Sequence, residues 1–179
     1  MASGTFGGID IDARAKVGSA ETVNGGIDVS EDAEAGSLET VNGGIGLARG
    51  ARVDGDVETV NGAIRLADGN RVGGDVETVN GAISLINAQV GGSLATTNGD
   101  ITLARGSHVR GGLTVEKPTG SWNSGTRRIP RVVIGANCII EGPLVFEHEV
   151  ELFVHPTAKT GTVTGATAQP FTDTLPERR

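Results

Sequence analysis

Apolar positions along this chain fall into columns that recur about every eighteen to nineteen residues. Ile9, Ile27, Ile45, Ile64, Ile83 and Ile101 hold one such place, followed two residues on by Ile11, Val29, Leu47, Leu66, Leu85 and Leu103. An apolar residue, any residue, then a second apolar residue is the pattern of a short strand with one buried face. A second column runs through Val17, Ala35, Val53, Val72, Val90 and Val109, and a third through Ala20, Leu38, Val57, Val76, Leu94 and Leu113. The pattern therefore predicts about three short strands per repeat and no helix, because glycine breaks every stretch long enough to show a 3.6-residue period.

Between the apolar columns the polar residues repeat too. Glu-Thr-Val-Asn-Gly occurs at Glu21 to Gly25, Glu39 to Gly43, Glu58 to Gly62 and Glu77 to Gly81, and returns as Ala95-Thr-Thr-Asn-Gly99. Repeats this short cannot bury a face alone, so they must stack, each coil pairing its backbone with the next at about 4.8 Å. The predicted fold is all-β: a single-stranded parallel β-helix, or β-solenoid. Asn24, Asn42, Asn61, Asn80 and Asn98 should form a ladder at one corner, a residue type that tolerates the left-handed conformation there. Glycines such as Gly18, Gly36, Gly73 and Gly91 are expected to supply positive φ at another corner.

The columns continue past the last Asn-Gly if roughly a dozen residues are inserted. Leu113, Val132, Ile134, Ile140 and Leu144 then match Leu94, Ile101, Leu103, Val109 and Leu113. This division gives a leader at 1–4, a solenoid of about eight coils over 5–165 with a loop insertion at 118–129, and a polar C-terminal tail or cap at 166–179. At the strand spacing those coils stack to roughly 40 Å.

Composition supports a thin aliphatic interior. The 179 residues include 29 Gly and 4 Phe, with a single Trp and no Tyr, too few rings for an ordinary core of this size. The formal charge of -7 argues against a nucleic-acid partner, whose phosphates must be neutralised by Lys and Arg. Cys138 is the only cysteine, which excludes an internal disulfide and a multi-cysteine metal site. No apolar run approaches the ~20 residues of a membrane span, and the first residues lack the charged and apolar regions of a signal peptide.

The triangular repeat, glycine corners and Val/Ile ladders resemble the bactofilins, polymer-forming bacterial cytoskeletal β-helices, and the adhesin-type β-solenoids of the bacterial cell envelope. The Glu-Thr-Val-Asn-Gly repeats, Val150-Glu-Leu-Phe-Val-His-Pro156 and Gly161-Thr-Val-Thr-Gly165 are most similar to exported proteins of the second group. The resemblance covers about Thr5 to Gly165. It implies a right-handed helix and self-association or envelope scaffolding, and favours a periplasmic or cell-surface location over a cytoplasmic one, which the residues themselves leave open; it brings no catalytic residues.

Candidate chemistry is sparse. His108 lies in an outward column with Lys16, Glu34, Arg52, Arg71 and Gln89, and His148 and His155 have no Asp-rich or Cys partner nearby in sequence, so neither metal nor cofactor is expected. Cys138 aligns with Ala15, Ala33, Ala51, Asn70, Ala88 and Ser107, which makes it a small inward residue rather than a nucleophile. Glu21, Glu39, Glu58 and Glu77 would stack like charges at strand spacing. That stripe reads either as a solvated guard against sideways aggregation or as a site for a cation or basic partner. The insertion places Trp122, Arg127 and Arg128, with Lys117 beside it, as a contact loop on a rigid scaffold. Phe6, Ile9, Ile11 and Val17 form the apolar edge of the first coil, where unpaired backbone invites association. The expectation is a non-enzymatic, self-associating homo-oligomer serving as a scaffold. The alternative is a module that binds a glycan, cation or protein through the Trp122 loop or the glutamate column.

Overall fold

The computed structural model describes residues 2–118 and 128–172. Those residues form an all-β solenoid with three parallel sheets and about eight coils. The first sheet stacks nine strands from Ala2–Phe6 to Val163–Thr164, the second nine from Ile9–Ile11 to Ala168–Pro170, and the third seven from Glu34–Ala35 to Lys159–Thr160.

Register follows the columns. Ile64 pairs with Ile45 and Ile83, and Leu66 with Leu47 and Leu85. Val72 lies between Val53 and Val90, and Val76 between Val57 and Leu94. These side chains are buried and stack into one continuous aliphatic cluster. Each large aliphatic side chain so buried contributes about 1.5–3 kcal/mol.

The coil after the insertion keeps the same register: Ile101 pairs with Val132, Leu103 with Ile134, Val109 with Ile140 and Leu113 with Leu144. The register is therefore the same on either side of the extra residues.

Two boundaries differ from the sequence reading. Ala2–Phe6 is a strand, with Ala2 opposite Ala20 and Phe6 opposite Asn24, so the first coil begins before residue 5 and takes in the supposed leader. Parallel pairing needs only backbone N–H and C=O groups, which any non-proline segment supplies. At the other end, Ala168–Pro170 pairs with Leu152–Val154, carrying the second sheet into the expected tail. Pro170 has no N–H to pass the ladder on, which suits an edge strand.

The corners also differ from expectation. The asparagine ladder forms, with Nδ2 of Asn42, Asn61, Asn80 and Asn98 donating to Oδ1 of the preceding member at 2.9–3.1 Å. Yet these residues are not left-handed. Positive φ sits instead mostly at the corner between the second and third sheets, at Asp32, Gly50, Gly69, Asn87 and Asn137, and also at Gly7 and Gly165, but not at Gly18, Gly36, Gly73 or Gly91, where it was expected. Asn24, Asn42 and Asn61 end strands while Asn80 and Asn98 lie just past theirs, and the chain turns after each at a glycine chosen for a different reason. A Cβ on Gly43 would overlap the Gly25 carbonyl, and one on Gly91 the Gly73 carbonyl. Stacked backbones approach too closely there for any side chain.

Inside the first sheet the repeat's threonine points inward. Thr22, Thr40, Thr59 and Thr78 are buried, and each hydroxyl donates to a glycine carbonyl of the preceding coil, those of Gly7, Gly25, Gly43 and Gly62, at 2.8–3.1 Å. This polar seam was not anticipated, although the alternation of Val57, Glu58 and Thr59 places Thr59 on the inner face.

Candidate functional site

The outer faces hold the candidate sites. On the first sheet, alternation sends the glutamates outward, and pairing sets them side by side: Glu21 with Glu39, Glu39 with Glu58, Glu58 with Glu77. The next strands place Ala95 and then Thr114 in that stripe. Val23, Val60 and Val79 lie beside it and remain exposed. A shallow groove runs along the stripe between Glu39, Glu58 and Glu77 and the valines, with Glu116 at its far end.

Burial along this groove pushes the Glu58 carboxyl above its ordinary value, and Asp56, Glu39 and Asp75 push it the same way. Glu77 is raised likewise, by burial first and then by Glu58, Asp75, Glu116 and Asp56. The aspartates are fixed in the turn: Asp56 Oδ1 accepts from the Asp75 amide at 2.9 Å, and Asp75 Oδ1 from the Ser93 amide at 2.6 Å. None of the four stripe glutamates makes an ion pair among the described residues. Nor do three His, Cys, Asp or Glu side chains converge there, or elsewhere among the described residues, as a metal site would need.

The third sheet carries the opposite charge. Arg52 and Arg71 are neighbours in register, with Gln89 and His108 on the next two coils. Together with Arg110 they line an open trough that also holds Gly73, Gly91 and one carboxylate, Asp54. The ends of this column are paired: Lys16 with Glu34 at 2.9 Å, which lowers the Glu34 carboxyl, and His108 with Glu141 at 2.6 Å. Arg52, Arg71 and Arg110 make no ion pair among the described residues.

Of the contact loop, Trp122 and Arg127 lie outside the described residues. Its feet are visible. Lys117 is exposed, and its backbone N–H donates to Glu147 at 2.9 Å. Arg128, expected as a contact residue, is tied to the scaffold through Asp100 at 2.8 Å, and the Arg131 amide donates to the other Asp100 oxygen at 2.9 Å. Arg131 also pairs with Glu151 at 2.9 Å and stacks over Phe153, 5.2 Å from the ring centre. Val133 and Phe153 pair with each other on the second sheet, opposite in facing to the core residues Val132 and Leu152, yet only 6% and 3% of their surfaces are exposed. The visible signal in sequence was the loss of alternation in Arg131-Val-Val-Ile134 and Glu151-Leu-Phe-Val154.

The remaining candidates lie apart. His148 contacts two carbonyl oxygens, Thr97 at 3.0 Å and Glu149 at 3.1 Å, a bracket between distant coils. His155 meets the Thr157 hydroxyl at 2.9 Å and the edge of Phe171. Cys138 is buried in the small-residue column, and burial pushes its thiol up, away from the reactive thiolate. At the first coil, Ile9 and Val17 are half-buried, whereas Ile11, paired with Val29, is only 3% exposed. The Phe6 side chain lies outside the described residues, though its backbone pairs with Asn24.

Fold and surface together define a three-sided parallel β-solenoid whose glutamate face and arginine face are separate. Comparison with protein-family models, with curated proteins and with solved structures finds no match.

Proposed function

We propose that the protein is a non-enzymatic scaffold that self-associates, building rods end to end through its first coil. The observation that carries this reading is the half-exposure of Ile9 and Val17, whose neighbours one coil on, Ile27 and Ala35, are buried. Because the coils are near-identical and stack in one register, the free edge of any coil is complementary to the edge of another. Ile9 and Val17 are the residues that a second copy would cover.

The test is sedimentation velocity and negative-stain microscopy of the full chain. Mass should rise with concentration and elongated particles should appear, while Ile9→Lys or Val17→Lys should weaken association at least about tenfold, one buried charge being ample for that. A wild-type chain that stays monomeric at high micromolar concentration overturns the reading.

A second reading, a binding module, is favoured by the raised carboxyls of Glu58 and Glu77 in an apolar-walled groove. Such a groove gains from a cationic guest that relieves the crowding of charge. A rise in melting temperature with a cationic peptide, lost in Glu58→Gln, would support it.

A further inference from the structure

The glutamate stripe and the arginine trough share a property that neither shows alone. Both are built on the coil repeat, so Glu39, Glu58 and Glu77 climb the solenoid in the same steps as Arg52 and Arg71. Neither array makes an ion pair among the described residues, although Arg52 lies beside Glu34 in register and helps to lower its carboxyl.

We propose that the glutamate face of one copy docks side by side on the arginine trough of a second copy, in a ladder of Glu–Arg pairs matched coil for coil. The exposed Val60 and Val79 add apolar contact beside the ladder, at 39% and 40% exposure, and Gly73 and Gly91 in the trough present no side chains to obstruct them. Arginine suits the task, because its planar fork grips a carboxylate in two places. Like charges stacked at about 4.8 Å repel within each face, and the facing array of opposite sign offsets that repulsion on both sides at once. The overall charge of -7 opposes association at long range, but at about 0.15 M salt the Debye length of about 8 Å confines electrostatics to the facing ladders.

The contact is heterologous: each copy uses its first sheet toward one neighbour and its third toward another. It therefore does not close in a dimer, and repeated it gives a ring where the rotation between copies closes and an open lateral array where it does not. This inference deepens the scaffold reading by naming a second contact, and it turns the stripe from a guard against sideways packing into its means.

The experiment uses the Ile9→Lys chain, in which the proposed end-to-end contact is blocked, at 0.15 M salt, with circular dichroism confirming the fold. Sedimentation should still show concentration-dependent oligomers. Adding Glu39→Lys, Glu58→Lys and Glu77→Lys should yield monomers, as should adding Arg52→Glu and Arg71→Glu, while an equimolar mixture of the two reversed proteins should oligomerise again. Should the lysine set fail to fold, Glu39→Gln, Glu58→Gln and Glu77→Gln should weaken association at least tenfold with the fold intact. An Ile9→Lys chain that is monomeric where the wild type is not leaves end-to-end assembly standing and overturns the lateral contact. Failure of the mixture to reassociate also overturns it. Oligomers unchanged by Ile9→Lys but lost on charge reversal would sink the end-to-end contact alone.

Discussion

The Thr59 hydroxyl donates to the carbonyl oxygen of Gly43, one coil back, at 2.8 Å. Both residues belong to the Glu-Thr-Val-Asn-Gly repeat, so the motif bonds to itself across the stack: its threonine satisfies a carbonyl left where the chain leaves the first sheet. The same carbonyl lies against Gly62, whose place a larger residue could not take. One five-residue motif thus supplies an outward charge, an inward hydrogen bond, an amide ladder and a close backbone approach.

Thr59→Val keeps shape and burial but removes the donor. Equilibrium urea unfolding should show a loss of about 1–2 kcal/mol, the cost of leaving a buried carbonyl unsatisfied. No measurable change would mean that the bond contributes nothing beyond the packing of the methyl group.

Two glycines separate two reasons for glycine. Gly43→Ala should cost about 3 kcal/mol, since its Cβ would overlap the Gly25 carbonyl and shift the stack. Gly69→Ala, at φ +78° with only the Gly50 backbone 3.8 Å away, should cost about 1 kcal/mol through φ alone. The comparison is a pair of thermal melts, and equal losses would contradict it.

Register is tested by adjacent residues. Ile64 is fully buried and Arg65 exposed, so Ile64→Asp should abolish folding, whereas Arg65→Asp should stay within about 0.5 kcal/mol of wild type. Far-ultraviolet circular dichroism decides between them.

Asn70 interrupts the column of Ala33, Ala51 and Ala88 with a buried amide. Its Nδ2 donates to the Ala48 carbonyl at 2.6 Å, but its Oδ1 accepts from no described residue. Ala48 already receives the Ala51 amide, so Asn70→Ala should be neutral or stabilising by up to about 1 kcal/mol. A loss above that size would show that Oδ1 is satisfied after all.

Stability should depend on pH in a direction set by the stripe. Glu58 and Glu77 have folded-state values above the ordinary 4.5, so between those values the folded chain holds more protons than the unfolded one. Stability from this source therefore falls as pH rises through the raised values, and is recovered as pH drops toward 4.5. Glu34, lowered by Lys16, acts the opposite way below 4.5, its contribution being lost as pH falls through its folded value. Glu58→Gln should match or exceed wild type at pH 7, by less than about 0.5 kcal/mol for a group still partly open to solvent, and lose that advantage near pH 4. A Glu58→Gln chain less stable at pH 7 would point to a favourable partner for the carboxylate.

The columns of Ile, Val and Leu were legible in the chain because burial on a strand obeys a period of two, and stacking repeats that period at every coil. Inward and outward residues, including Cys138 and the coil resumed at Val132, follow from that one-dimensional rule. What lay beyond it are distances between residues a coil or more apart. Only the stack shows that the Asn-Gly glycines are needed for close approach rather than for φ, that left-handed residues fall at Asp32 and Asn87 instead of the asparagine ladder, and that Ile11 is buried. Arg128, legible as a residue of the insertion, is paired with Asp100, a residue many positions earlier that the stack brings within 2.8 Å. The separation of Glu58 and Arg71 onto different sheets has the same origin: strand alternation marks both as outward, but only the path of the coil around three corners decides that they cannot meet in one molecule.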